Sequence, residues 1–176
     1  MQPMLTGAIV IMGVSGCGKS TLGRALAAQL GWPFIEGDTL HPPANLAKMA
    51  AGIALDDEDR LPFLTRVATA CARGKATGVV VSCSALKRRY RDLIRAQAGD
   101  VTFVLPVLDR AQLFARLAQR QDHFMPASLL ASQLAALEAP DPDEYAVLID
   151  GSAPLAAQIT GTLSALQHRP PHGPTA

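Results

Sequence analysis

Residues 13–20 read Gly13-Val14-Ser15-Gly16-Cys17-Gly18-Lys19-Ser20. An apolar run, Ala8 to Met12, leads straight into this stretch, and Leu22, Leu26 and Leu30 follow it at helical spacing. The pattern G-x-x-x-x-G-K-[ST] between a buried strand and a helix is the loop that cradles nucleotide phosphates. Its chemistry is mostly backbone. Gly13, Gly16 and Gly18 let the chain turn tightly and come close to phosphate oxygens. Successive N–H groups, through Val14, Ser15 and Cys17, form an anion nest at the positive end of the helix. Lys19 can reach the β- and γ-phosphates, Ser20 can place its hydroxyl on Mg²⁺, and Thr21 can bond the α-phosphate. The Cys17 side chain is read as a filler.

Outward from this loop, apolar runs recur at residues 33–36, 79–82, 102–107 and 145–149. Helical patterns separate them at about 61–74, 86–98, 111–120, 127–136 and 154–166. Strands that alternate with helices imply βαβ units, a parallel sheet and right-handed crossovers. The expected fold is therefore α/β, with five parallel strands flanked by helices. Residues 41–60 and 119–142 do not fit simple alternation. They are expected to supply a substrate-binding helical segment, about 38–60, and a mobile lid, about 119–142.

The 176 residues suit one domain, here 1–167, with a Pro-rich tail, 168–176, expected to be disordered. Hydrophobic residues make up 49% but aromatics only 5%, so the core must be aliphatic and Ala-rich. A net charge of +1 speaks against a protein that grips nucleic acid through phosphates alone. Three cysteines do not make a disulfide framework, and no apolar run reaches the roughly 20 residues of a membrane span. With no signal-peptide pattern at the N-terminus, a cytoplasmic enzyme is expected.

Two absences narrow the class. There is no N-K-x-D segment of the kind guanine-specific proteins carry, and the third strand ends Val81-Ser82-Cys83-Ser84 without an acid. That favours a small-molecule kinase, with an acid at the end of the second strand as base. Asp38, in Glu36-Gly37-Asp38, stands there. A carboxylate facing the γ-phosphate can take the proton of an attacking hydroxyl, an effect worth about 10²–10⁴ in rate. The alternative is that Asp38 only caps the turn before His41-Pro42-Pro43.

Five segments, in order, carry a resemblance: G-V-S-G-C-G-K-S from Gly13, G-D-T-L-H-P-P-A-N-L-A-K-M from Gly37, L-D-D-E-D-R-L-P-F-L from Leu55, S-C-S-A-L-K-R-R-Y-R from Ser82, and R-Q-D-H-F-M from Arg120. Together they resemble the bacterial gluconokinase family. The second segment is more diagnostic than the phosphate loop, which shikimate kinases share. The resemblance implies the nucleoside-monophosphate-kinase fold, transfer from ATP with Mg²⁺ to the 6-hydroxyl of D-gluconate, and a homodimer. Phe63 stands where the family's usual aromatic is Trp, a conservative packing change.

Gluconate is a small anion with a row of hydroxyls, so its site should offer cations and mixed polar groups. His41, Asn45 and Lys48 fall in one short segment, the last two sharing a helical face. Lys48 is read either as a substrate cation or as a solvated helix charge. The acids of Asp56-Asp57-Glu58-Asp59 are read as a charged first helical turn. Arg60 is placed by the resemblance near the substrate anion, and its guanidinium suits a carboxylate. Ser84 and Lys87 follow the third strand, where open parallel sheets bind ligands. Arg91, four residues beyond Lys87, is expected to share its face, while Arg88 and Arg89 are expected in solvent.

Arg116 and Arg120 are also four apart, and His123-Phe124 follows. Arg120 is expected to contact ATP as the lid closes, where an arginine can be worth about 10³–10⁵ in rate. Arg116 is read as a second nucleotide contact or as the lid's hinge. The loop Asp150 to Pro154 is expected beside the adenine. Two rival functions stand beside this reading. One is another hydroxy-acid kinase, such as shikimate kinase. The other is a nucleotide-dependent adaptor or nucleic-acid-binding NTPase.

Overall fold

The computed structural model describes residues 6–120 and 126–168. The expected five parallel strands are all present: β1 Ala8–Ile11, β2 Phe34–Ile35, β3 Val79–Ser82, β4 Val101–Val107 and β5 Val147–Asp150. They form one sheet in the order β2-β3-β1-β4-β5. β1 lies at its centre, with Ala8–Ile11 in register against Val79–Ser82 on one side and Val101–Val104 on the other. The helices are α1 Lys19–Leu30, α2 Pro43–Ala50, α3 Asp57–Gly74, α4 Arg88–Ala98, α5 Arg110–Gln119, α6 Ala127–Ala136 and α7 Leu155–His168.

Strand periodicity divides the core. Side chains alternate across a strand, so a strand covered on both faces must be apolar throughout. Ile9 and Ile11 pack with Leu22 and Leu26 of α1 and Ile159 and Leu163 of α7. Ala8 and Val10 face the other way, onto Leu64, Val67 and Cys71 of α3 and Ile94 and Ala98 of α4. Removing such a side chain from water is worth roughly 1.5–3 kcal/mol. The aromatic shortage has little effect, because a sheet of Val and Ile against helices of Leu and Ala fills the layers.

A third, smaller cluster determines the site. Leu130 of α6 and Leu113 of α5 pack against Val14 and Cys17 of the phosphate loop and against Leu86. Cys17 is buried, as a filler should be. The region expected as a lid therefore contains a helix, α6, anchored on the nucleotide loop. Residues 121–125, with His123 and Phe124, lie outside the described residues, as does the tail beyond His168.

Boundaries moved where caps overrode periodicity. The helix expected from residue 61 begins at Asp57, because Asp56 caps it. The Asp56 carboxylate accepts from the Asp59 N–H at 2.8 Å, and the Asp59 carboxylate accepts from the Asp56 N–H at 3.1 Å. This reciprocal arrangement satisfies two backbone donors at the helix start. The acids of that run do act as a first turn, but they also hold basic side chains, as shown below.

Candidate active site

The parallel register brings the carboxyl ends of β1 and β3 level. The Gly13 N–H donates to the Ser84 carbonyl at 3.1 Å, and the Cys83 N–H donates to the Ile11 carbonyl at 3.0 Å. The loops after β1, β2 and β3 thus open on one side of the sheet, around a cleft of about 310 Å³. Open parallel sheets bind ligands at this edge.

The phosphate loop has the expected conformation. Gly13, Gly16 and Gly18 all have positive φ, at 128°, 85° and 97°. Gly18 caps α1 with no side-chain hydrogen bond, so the first N–H groups of the helix remain available to an anion. Ser15, Gly16, Gly18, Lys19 and Ser20 line the cleft. Gly13, Val14 and Cys17 shape the loop from within, and Thr21 is exposed in the first turn of α1. The Lys19 ammonium donates to the Val14 carbonyl at 3.0 Å, folded back on its own loop.

After β2 the chain enters a 3₁₀ turn, Gly37–Leu40. Gly37 is required here by close approach, since a Cβ would overlap the Ser82 carbonyl oxygen. The turn is locked by polar groups. The Gly37 N–H donates to Ser82 Oγ at 2.9 Å, Ser82 Oγ donates to the Glu36 carboxylate, and Arg24 Nη2 lies 3.3 Å from that carboxylate. The third strand has no acid of its own, but its terminal serine holds one supplied by β2. Glu36 and Asp38 both line the cleft.

His41 and Phe63 also line the cleft. Their rings stack at 3.7 Å between centroids and 10° between planes. Asn45 Nδ2 donates to the Asp59 carbonyl at 2.8 Å and lies 3.3 Å from His41 Nδ1. A carbonyl can only accept, so this geometry places the amide NH₂ group toward His41 and makes Nδ1 the acceptor. Burial pushes the His41 pKa below its ordinary value. The Asp38 carboxylate opposes that shift and the Arg60 guanidinium adds to it. The ring is therefore neutral near pH 7, with its proton on Nε2. Arg60, Ser84 and Arg120 also line the cleft. Arg60 Nη1 donates to the Tyr90 hydroxyl at 3.1 Å.

Other expected contacts lie outside the cleft. Lys48 donates to both carboxylate oxygens of Asp59, at 2.8 and 2.7 Å. Lys87 is 3.1 Å from Asp57, which also accepts from Arg89 and the Tyr90 hydroxyl. Those partners, the Tyr90 hydroxyl first, hold the Asp57 carboxyl down at about 2. Asn45 and Lys48 do share a face, but it meets the start of α3.

Arg91 requires a correction. It is fully buried, and its Nε and Nη2 lie 2.6 and 2.7 Å from the Glu144 carboxylate. Its Nη1 donates to the carbonyls of Ala85, Leu86 and Glu138 at 3.1–3.2 Å. The physical reason is that Lys87 is not helical. It is the cap of α4, with extended backbone at φ −100°, ψ 148°, so helical spacing does not relate it to Arg91. Arg88, expected in solvent, pairs with Asp141 and Asp143. Arg120, the C-cap of α5, lines the cleft. Arg116 Nη2 donates to the Gly151 carbonyl at 2.7 Å, in the loop after β5, and its Nη1 borders Gly18.

The helix expected at 127–136 is α6, but the sequence reading assigned none of its residues to the site. Ser132 and Gln133 line the cleft, and Gln133 Oε1 accepts from the Ser15 N–H at 2.7 Å. Gln133 is three and four residues beyond the buried Leu130 and Leu129, and that spacing was the available signal. Cys83 also lines the cleft, but burial pushes its thiol up to about 12, so it is no nucleophile near neutrality. Among the described residues no group of three His, Cys, Asp or Glu side chains could hold a metal ion, and no helix is long and apolar enough to cross a membrane.

A phosphate loop at the crevice of a five-stranded parallel sheet, opening on a cleft lined by polar side chains, is the arrangement of a P-loop kinase. A family profile described as an AAA domain matches residues 9–140. A gluconokinase of Gluconobacter oxydans is 47% identical over 145 residues, covering 81% of this chain and 82% of its own. The thermosensitive gluconokinase of Escherichia coli is 45% identical, covering 79% of this chain and 75% of its own. The crystal structure of a gluconokinase from Sinorhizobium meliloti superposes with a TM-score of 0.85 at 47% identity, over 93% of both chains. The chain belongs to the gluconokinase family.

Proposed function

We propose that this chain transfers the terminal phosphoryl group of ATP to the 6-hydroxyl of D-gluconate, giving 6-phospho-D-gluconate and ADP. The observation that carries the reading is one cleft lined by Lys19 and Ser20 of the phosphate loop, by Asp38, and by His41, Arg60 and Ser84. It offers an anion cradle at one end and, at the other, cations and hydroxyl-binding groups for a polyol acid. The relatives named gluconokinase support the same substrate.

In this reading Asp38 accepts the proton of the 6-hydroxyl as its oxygen bonds to the γ-phosphorus. The bond from that phosphorus to the β–γ bridging oxygen breaks, and ADP leaves with the electron pair. Lys19 turns from the Val14 carbonyl to the β- and γ-phosphates, and Arg120 meets charge on the equatorial oxygens. Such preorganised charges supply most of the stabilisation in phosphoryl transfer. The cleft also presents the hard oxygen donors that Mg²⁺ takes, among them the Ser20 hydroxyl and the Glu36 and Asp38 carboxylates. Ser20 would hold the ion, which when bound draws charge from the phosphate oxygens.

His41 and Arg60 hold the substrate's hydroxyls and carboxylate, with Ser84 beside them. Asn45 orients His41, and Lys48 fixes Asp59 at the start of α3. Lys87 reaches the substrate only if its ion pair with Asp57 opens. Arg116 positions the loop expected beside the adenine. A homodimer, which the family resemblance implies, and a cytoplasmic location complete the reading. The test is ATP consumption with D-gluconate against shikimate and ribose. Turnover stimulated by gluconate alone is expected. Asp38→Asn should cut kcat by about 10²–10⁴ while ATP still binds. Near-normal turnover in that variant would remove Asp38 as base.

A further inference from the structure

The contact between α6 and the phosphate loop has no role in the reaction just described. Leu130 is fully buried and Leu129 nearly so, at 7% exposure, and Leu130 packs with Val14 and Cys17 of the loop. Residues three and four apart lie on one helical face, so this anchoring carries Gln133 onto the same loop. Its carboxamide oxygen takes the Ser15 N–H at 2.7 Å. Ser15 is one of the loop residues that line the cleft. Its N–H belongs to the cradle whose purpose is to donate to phosphate oxygens. An amide oxygen thus stands where a phosphate oxygen is expected.

We propose that Gln133 is a phosphate-contacting residue that reads the terminal phosphate of ATP. Without nucleotide its oxygen satisfies the Ser15 donor. The terminal phosphate takes that donor over. The displaced carboxamide then turns about its last torsion, a soft rotation, and presents its NH₂ group to an oxygen of the transferring phosphoryl. The exchange favours ATP because a hydrogen bond to a charged oxygen is roughly twice as strong as a neutral one. ADP brings no γ-phosphate and leaves the Gln133–Ser15 pair intact. Glutamine suits this task because it holds an acceptor and a donor on one rotatable group. Glutamate has only acceptors, and methionine, of similar length, has neither at comparable strength.

The inference rests on the kinase reading, but its main test does not need the acceptor. ATP and ADP affinities are measured by calorimetry without gluconate, on the wild type, Gln133→Met and Gln133→Glu. Gln133→Met is expected to bind ADP within about twofold of the wild type and ATP about five- to tenfold more weakly. Gln133→Glu is expected to lose at least roughly a further tenfold for ATP, since a carboxylate repels the phosphate and keeps the Ser15 donor. With gluconate, kcat of Gln133→Met should fall about ten- to hundredfold. An unchanged ATP-to-ADP ratio in both variants would overturn the proposal. So would equal losses for both nucleotides, which would mean that Gln133 only shapes the loop. If the wild type shows no gluconate-stimulated turnover, the proposed function fails while the binding ratio still decides the role of Gln133.

Discussion

At Gly37 one missing methyl group sets the geometry of one wall of the cleft. The turn that carries Asp38 passes so close to β3 that any Cβ at position 37 meets the Ser82 backbone. Backbone cannot move aside as a flexible side chain can. Gly37→Ala should therefore cost at least about 3 kcal/mol and displace Asp38, with both Tm and kcat falling. Gly161, within α7, is the control: a Cβ there meets nothing within 4 Å. Gly161→Ala should raise stability by about 0.5–1 kcal/mol with activity unchanged. Thermal denaturation and turnover of the two variants check both statements. At this scale the phosphate loop was legible, because glycine spacing dictates its backbone. Asp38 was legible as an acid in a turn, and its place in the cleft agrees. The Ser82–Glu36 clamp was not, because it joins residues 46 apart whose contact exists only once β2 lies beside β3.

Helices and strands succeeded where their period continued and failed at their ends. Lys87 is an N-cap with an extended backbone, so counting four residues from it predicts nothing about a shared face. Arg91 is the consequence: a residue expected to hold substrate instead ties the β3–α4 loop to the segment before β5. Removing one partner of a buried ion pair strands the other, so Arg91→Ala should cost about 3–5 kcal/mol. Arg91→Met combined with Glu144→Leu should cost much less than the sum of the two single changes. Glu144 also gives the pair a pH signature. Burial pushes its pKa up, but the hydrogen bonds from Arg91, Arg95 and the Asp141 N–H outweigh that and hold it at about 2, below its ordinary 4.5. A carboxyl with a depressed folded pKa stabilises fully above its unfolded value and loses that contribution as pH falls. Stability from this group should therefore decline between about pH 4.5 and pH 2. In Arg91→Ala that decline should be shallower, which acid titration followed by circular dichroism would show.

Across the whole molecule the two edges of the sheet have different tasks. The loops after β1, β2 and β3 build the cleft, while the turns before the strands only hold the layers together. Gly78, just ahead of β3, has φ +99°, and a Cβ there would overlap the Trp32 ring. Gly78→Ala should lower Tm by several degrees while kcat at a permissive temperature stays near the wild-type value. A proportional loss of kcat would contradict this division. The layered α/β architecture was readable throughout, since β1, β3 and β4 are apolar along their whole length or nearly so. The anchoring of α6 on the phosphate loop was not, because it depends on which face a helix turns inward. The same dense layering hides all three sulfhydryls: Cys17, Cys71 and Cys83 are each at most 2% exposed and none is paired. A maleimide therefore meets no target on the intact enzyme, and its uptake would time the rare excursions in which the layers part.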